Sequence, residues 1–198
     1  LNVAAFYYDY KNIQVQKVGL SNTGIINGAA ADIKGLDSDF EWLASDALRI
    51  TGSFAVLDGK FTDFTNAPFG APQGGVPLAP GDATGNDLPK APHFQSNLML
   101  DYRVGNAGSG AVHLLGAWEQ SSSFVTEADN IFKQKSYSRF NAAVRWDAAN
   151  DRYSAKLWIN NLTNEAVLAY SSTLGDGTRD ATYQAPRTYG VTVSYKFE

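Results

Sequence analysis

Hydrophobic side chains fall at every second position in one stretch of this chain after another. The clearest case is the last stretch, where Tyr189, Val191, Val193, Tyr195 and Phe197 alternate with Gly190, Thr192, Ser194 and Lys196. Successive side chains of a strand point to opposite faces, so such a segment has one apolar face and one small or polar face. Upstream, a strand over 1–16 sets Phe6, Tyr8 and Tyr10 on one face and Tyr7 and Asp9 on the other. A second, over about 30–43, opposes Leu36, Phe40 and Trp42 to Asp37, Asp39 and Glu41. A third opposes Leu48, Ile50, Phe54 and Val56 to Arg49, Thr51, Ser53 and Ala55. The fourth places Leu98, Leu100 and Tyr102 against Asn97, Asp101 and Arg103. In the fifth, about 111–124, the adjacent Leu114 and Leu115 blur the register. Phe140, Ala142, Val144 and Trp146 oppose Arg139, Asn141, Arg145 and Asp147 in the sixth. Tyr153, Ala155, Leu157 and Ile159 oppose Ser154, Lys156, Trp158 and Asn160 in the seventh.

The connections alternate in length. Short turns are expected at Ser45-Asp46-Ala47, over 106–110 and over 148–151. Longer, polar or Pro-rich connections are expected over 18–28, 64–92, 127–135 and 164–182, the last with Gly175-Asp176-Gly177 at its tip. The stretch 64–92 holds Pro68, Pro72, Pro77, Pro80, Pro89 and Pro92. Proline cannot donate to a ladder, so this stretch reads as outside the sheet, and a loop of that length is usually functional. Strands of this length, long loops at one end and tight turns at the other are the pattern of an antiparallel transmembrane β-barrel. Tyr10, Trp42, Tyr102, Trp146, Tyr153 and Phe197 fall near strand ends, where interfacial girdle residues belong. The apolar face can be kept free of charge in most of the strands. That restriction is imposed by hydrocarbon, where Arg or Lys at the midplane costs about 2–4 kcal/mol, and not by water. A soluble β-domain that binds through its long loop is the competing reading. Its outer face should be rich in Lys and Glu; here the second face is mostly Ser, Thr, Asn and Gly.

Composition agrees. Charged residues make up 18% and aromatics 13% of 198 residues, with a mean hydropathy of −0.25. No apolar run approaches the length of a spanning helix, which leaves a membrane barrel open, because its two faces cancel in any window. A net charge of −4 with scattered basic residues gives no footprint for nucleic acid. The absence of Cys removes disulfides and thiolate metal sites. One domain is expected, and a segment of a longer protein.

Residues that could carry chemistry do not assemble into a site. Asp37, Asp39 and Glu41 lack the glycine and ligand spacing of a calcium loop and read as inner-face carboxylates facing water or arginines. His93 and His113 lie on different strands without a partner four residues on, so no metal is expected. Ser121-Ser122-Ser123 has neither a nearby His nor elbow glycines. Asn161-Leu162-Thr163 is a formal glycosylation sequon of no expected use. Neither an enzyme nor a cofactor is implied.

Several stretches resemble the C-terminal part of the barrel of TonB-dependent outer-membrane receptors. They are Ala5-Phe6-Tyr7-Tyr8-Asp9-Tyr10, Gly35-Leu36-Asp37-Ser38-Asp39-Phe40, Leu88-Pro89-Lys90-Ala91-Pro92-His93, 157–165 from Leu157 to Glu165, and Pro186-Arg187-Thr188-Tyr189-Gly190. They occur in family order over nearly the whole chain. The resemblance implies about eight up-and-down strands of a 22-stranded barrel, in the bacterial outer membrane, surrounded by lipid. It implies a plug domain in a missing N-terminal part, which would engage the energy-transducing TonB-type partner. It implies uptake of a scarce nutrient such as a ferric siderophore. Tyr189, Val191, Val193, Tyr195 and Phe197 match the signal read by the barrel-assembly machinery; Glu198 after the aromatic departs from it. Phe61, Phe64, Phe69, Phe124, Phe132 and Tyr170 in the loops, and Arg139, Arg145, Lys156 and Arg187 on the inner face, are then the candidates for contact with an anionic ligand. Packing of the loop aromatics on one another, and pairing of the cations with Asp37, Asp101 and Asp147, are the competing readings. A self-contained eight-stranded barrel with a passive or structural role is the remaining alternative.

Overall fold

The structure is a computed structural model; it describes residues 1–18, 23–69, 79–150, 152–174 and 176–197. Pro72, Pro77, Gly175 and Glu198 lie outside the described residues. The strands are β1 (Asn2–Val18), β2 (Thr23–Ser45), β3 (Leu48–Asp63), β4 (Ala67–Phe69), β5 (Ala79–Gly81), β6 (Phe94–Ala107) and β7 (Gly110–Ser121). They continue with β8 (Phe124–Val125), β9 (Lys133–Gln134), β10 (Tyr137–Ala148), β11 (Tyr153–Asn160), β12 (Leu168–Thr173), β13 (Arg179–Tyr183) and β14 (Thr188–Tyr195). Eight form one antiparallel meander in the order β1-β2-β3-β6-β7-β10-β11-β14. The other six pair as three small hairpins, β4 with β5, β8 with β9 and β12 with β13, all within long connections.

Tight turns close one end of the sheet. Ser45 Oγ accepts from Ala47 N–H at 3.2 Å, Gly108 takes φ +59°, and Asn150 Oδ1 accepts from Arg152 N–H at 3.1 Å. The long connections gather at the opposite end, as the alternation required. Two boundaries differ from expectation. β2 begins at Thr23 rather than near residue 30, because β1 and β2 stay paired beyond the apolar band. The proline-rich connection is not wholly outside sheet structure: Pro68 faces Pro80 in the β4/β5 hairpin. A two-stranded hairpin has an outward edge on each strand, where the missing N–H groups cost nothing.

Register decides which face each residue occupies. From β2 to β14 one face carries, strand by strand, Leu36, Phe40 and Trp42; Leu48, Ile50, Phe54 and Val56; Leu98, Leu100 and Tyr102; Val112, Leu114 and Trp118. It continues through Phe140, Ala142, Val144 and Trp146; Tyr153, Ala155, Leu157 and Ile159; and Tyr189, Val191, Val193 and Tyr195. Leu115 goes to the other face, which resolves the ambiguity with Leu114. Between Leu48 and Val56 and their cross-strand partners, this face has no Asp, Glu, Lys or Arg. That is roughly nine residues of strand, the length a tilted crossing needs. Charge begins one pair further out, with Lys34 beside Asp58 at 3.3 Å. The face is uncovered: Leu157, Val191, Val193 and Val144 are 60%, 65%, 73% and 43% exposed. A water-soluble sheet would bury them, so the soluble reading fails.

The opposite face is indented and polar, and we call it the inner face. Strand β1 departs from expectation here. Its register places Phe6 opposite Gly35 and Tyr10 opposite Ala31, so the Phe6, Tyr8 and Tyr10 stripe lies inside and Val3, Ala5 and Tyr7 lie outside. Tyr10 is therefore not a girdle residue. Trp42, Tyr102, Trp146, Tyr153 and Tyr195 do line the outer face near the tight-turn end.

Among the described residues β1 and β14 do not pair with each other, so the eight strands do not close on themselves there. The self-contained eight-stranded barrel is thereby set aside. Close packing on the inner face is local. The Trp158 indole lies across Gly190, where a Cβ would come within 2.6 Å of the ring, and donates to Thr192 Oγ1 at 3.1 Å. Gly190→Ala should displace the indole and cost about 1–3 kcal/mol. Gly116→Ala, whose Cβ meets nothing closer than 3.8 Å, should be near neutral; denaturant unfolding of the full-length receptor in bilayers checks both.

Candidate ligand vestibule and inner wall

The long connections fold into one body at the outer end. Ala29, Ala31, Phe61, Phe64, Ala67, Ala83 and Ala128 form its buried core, flanked by Ile13, Val15, Ile26, Phe69 and Leu88. Small side chains on β2 and in the loops leave room for the two phenylalanines, whose rings pack 5.0 Å apart. Hydrogen bonds join the first loop to the second: Asn86 Nδ2 to Ala128 O at 2.8 Å, Asn130 Nδ2 to Asp87 O at 3.0 Å, and Lys90 N–H to Val125 O at 2.8 Å. The second is joined to the third by Glu127, which accepts from both the N–H and the hydroxyl of Thr173. Arg179 and Asp129 add an ion pair at 3.5 Å, and Leu168 N–H donates to Gln134 Oε1 at 2.8 Å. At the exposed rim, the hydroxyl and N–H of Thr84 hold the Asp82 carboxyl below the usual carboxylate range; the N–H and hydroxyl of Thr178 do the same for Asp176.

Asn161 pins the third loop to the sheet. It is 3% exposed with φ +51°. Its N–H donates to Asn141 Oδ1, its side chain donates to Glu165 O and Ala185 O, and its Oδ1 accepts from Glu165 N–H. The asparagine of the formal sequon is thus a buried structural hub.

Cavities open among the described residues of the loops and of the inner face. One of about 570 Å³ lies between the outer end of β1 and the three loops, with Tyr10, Phe61, Leu88, Glu127 and Asp129 in its wall. A smaller one of about 210 Å³ lies beside it, walled by Phe124, Tyr137, Tyr170 and Gln184. Lys90, Thr126, Tyr170 and Ser171 are common to both. The third, about 420 Å³, indents the inner face at mid-sheet between Arg49, Asp101, Asn141, Lys156 and Trp158.

The candidates named from sequence are dispersed among these features. Phe61 and Phe64, each 4% exposed, are core residues, with Phe61 reaching the wall of the largest cavity. Phe69 flanks that core. Phe132 is half-buried, and its carbonyl accepts from Thr126. Phe124 and Tyr170 come together in the smallest cavity. Arg139 is held between Glu119 and Gln184, with Tyr137 donating to the same Glu119 at 2.8 Å. Arg145 pairs with Asp147 at 2.7 Å and with Asp101 at 3.6 Å, and His113 shares Asp101. Glu41 pairs with Arg49 at 3.3 Å. Lys156 faces the mid-sheet cavity with no carboxylate within 4.0 Å among the described residues. Arg187 is exposed; its N–H donates to Asn164 Oδ1 and its guanidinium to Leu162 O. Tyr189, Val191, Val193 and Tyr195 share the outer face, and Phe197 meets Tyr195 edge-on at 4.7 Å. Lys90 was not among the candidates. Its signal in the sequence is slight: it is the one charged residue between Pro89 and Pro92.

A charge-free exposed face, a polar inner face and loops joined at one end define a segment of outer-membrane β-barrel. The profile of the family described as TonB dependent receptor-like, beta-barrel matches residues 1–162, and the chain belongs to this family of outer-membrane transporters, which are not enzymes. Among curated proteins no sequence relative matches. Solved structures do. The ferric yersiniabactin uptake receptor FyuA from Yersinia pestis superposes with a TM-score of 0.77 at 18% identity, over 99% of this chain and 27% of that one. The siderophore receptor PiuA from Acinetobacter baumannii gives 0.72 at 20%, over 98% and 26%. The copper transporter OprC gives 0.64 at 12%, over 98% and 29%. The chain thus spans about a quarter of the length of the receptors it resembles, and the likeness carries the fold.

Proposed function

We infer that residues 1–198 are the C-terminal segment of the barrel of a receptor for energy-coupled uptake of a scarce nutrient such as a ferric siderophore. The remaining, N-terminal part of the protein would supply a plug domain and a short motif that engages a TonB-type partner. The observation that carries this reading is the joined body of long loops, with its cavities, standing over a polar inner wall while the other side of the sheet is an exposed apolar face. The uptake and receptor roles of FyuA and PiuA favour a siderophore; a copper transporter of the same fold makes the ligand a separate question. β14 would present Tyr189, Val191, Val193, Tyr195 and Phe197 to the barrel-assembly machinery before pairing closes the barrel. Among the candidates for ligand contact, Phe124 and Tyr170 line a cavity together and Lys156 lies on the inner wall with no carboxylate within 4.0 Å among the described residues, whereas Arg139 and Arg145 are engaged by neighbours.

Deletion of 64–92 from the full-length receptor removes the first loop and half of the Phe61/Phe64 core. Cells that depend on this receptor should then lose nearly all uptake of the labelled ferric siderophore while still inserting the barrel. Undiminished uptake would remove the loop from the mechanism.

A further inference from the structure

Just beyond its apolar stretch, at the loop end, the outer face gathers charge on three neighbouring strands. Asp9 and Lys11 lie there on β1, Asp32 and Lys34 on β2, and Asp58 and Lys60 on β3, with Asp87 bridged to Lys60. On β6, β7 and β10 the outward residues nearest this end are Phe94 and Ser96, Gln120, and Ser138. Those strands meet the same boundary without charge.

The patch is mixed in sign, and its pairing is incomplete. Lys11 lies 3.3 Å from Asp9 and Lys34 3.3 Å from Asp58, while Lys60 reaches Asp87 only at 3.9 Å. Asp32 is left over. Its cross-strand partner on β1 is another carboxylate, Asp9, and like charges set opposite each other are unfavourable. Its partner on β3 is Lys60, whose ammonium turns to Asp87 instead. Among the described residues no cation lies within 4.0 Å of Asp32, which sits beside the Tyr7 hydroxyl. A carboxylate that lacks a cation therefore stands directly across from a loosely held, half-exposed ammonium. Such opposed positions are about 5 Å apart at Cβ. They suit a group in which an ammonium and a phosphate are joined by a short link.

We propose that Asp32 and Lys60 form an outward-facing site for the headgroup of a phosphoethanolamine lipid. The lipid ammonium donates to Asp32 and supplies the cation missing beside Asp9. The phosphate accepts from Lys60, and both contacts are charge-assisted. Its acyl chains continue onto the apolar stretch below, where Leu36, Phe54 and Val56 are exposed. The site stands on the lipid-facing side of the sheet and is independent of which nutrient the receptor takes up.

Native mass spectrometry of the purified full-length receptor tests it. The receptor is incubated with equal amounts of phosphatidylethanolamine, phosphatidylcholine and phosphatidylglycerol of the same acyl chains. All three carry the phosphate, but only the first has an ammonium with N–H donors. The wild type should retain that lipid about threefold over each of the others. Asp32→Asn should bring the ethanolamine-to-choline ratio near one, and Asp32→Glu should keep it. Lys60→Met should lower retention of all three. Equal retention of the three by the wild type, a preference for the glycerol headgroup, or retention of none would each overturn the site without recourse to a variant. So would an ethanolamine preference that survives Asp32→Asn, or retention that Lys60→Met leaves unchanged.

Discussion

Replacing Leu157 with Arg should lower the stability of the full-length receptor in a lipid bilayer by about 2–4 kcal/mol. Leu157 is 60% exposed on the outer face, with Val144 and Val191 as its cross-strand neighbours. All three stand at mid-strand, within the stretch of this face that carries no charge. A guanidinium there must be dragged toward the headgroups or must draw water into hydrocarbon. One residue away, at the same depth, Lys156 already carries a charge on the inner face. Lys156→Leu should therefore change stability little, although it removes a charge and adds apolar surface. Denaturant unfolding of both variants in bilayers checks the pair. If hydrocarbon did not solvate the outer face, Leu157→Arg would be tolerated as surface substitutions of soluble proteins are.

The second large effect is expected at Asn161. Asn161→Ala removes two donated bonds and one accepted bond from a buried site. It leaves Glu165 N–H and two carbonyls without their partner, at about 1–3 kcal/mol for each group that water cannot reach. It also places Ala at φ +51°, which costs roughly another 1 kcal/mol. The damage should be local: the 161–187 connection loses the side-chain bonds that hold it together, while the backbone bond from residue 161 to Asn141 on β10 and the sheet below persist. Limited proteolysis should cut the variant within 164–182, where the wild type resists, and heat should release the loop before the barrel unfolds. Asn161→Gly separates the two causes, because it relieves the backbone and still loses the side-chain bonds. It should remain protease-sensitive.

The sheet was legible because its signal is strictly local. Alternation assigns faces within a strand, and the tight turns at Ser45-Asp46-Ala47 and at Gly108 are set by the residues in them. Where an assignment depends on a partner strand, local reading fails. Phe6, Tyr8 and Tyr10 look like an outward aromatic stripe until pairing with Gly35 and Ala31 turns them inward. The β4/β5 hairpin was missed for a related reason. Proline forbids a ladder bond, but Pro68 opposite Pro80 uses positions where none is required of the outer edge.

The site was less legible than the sheet. Aromatic residues in a loop identify apolar mass, not its use, and Phe61 and Phe64 spend theirs on a core shared with alanines from β2 and the second loop. Likewise, Arg139 and Arg145 read equally well as ligand contacts or as ion-pair partners until cross-strand packing places Glu119 beside the first and Asp101 beside the second; Asp147, two residues from Arg145 on β10, completes that pair. Lys90 shows the converse. Its ammonium has no carboxylate within 4.0 Å among the described residues and meets a ring brought in from Tyr170, eighty positions along the chain. No local pattern encodes either.

The account depends on which face of the sheet meets lipid. These 198 residues contain no Cys, so single spin-labelled cysteines can be introduced along β11 in the full-length receptor, from Tyr153 to Asn160, and their collision rates with oxygen and with a water-soluble nickel complex compared in bilayers. Labels at 153, 155, 157 and 159 should collide preferentially with oxygen, and those at 154, 156, 158 and 160 should not. The opposite phase, or nickel access that shows no alternation, would contradict the account.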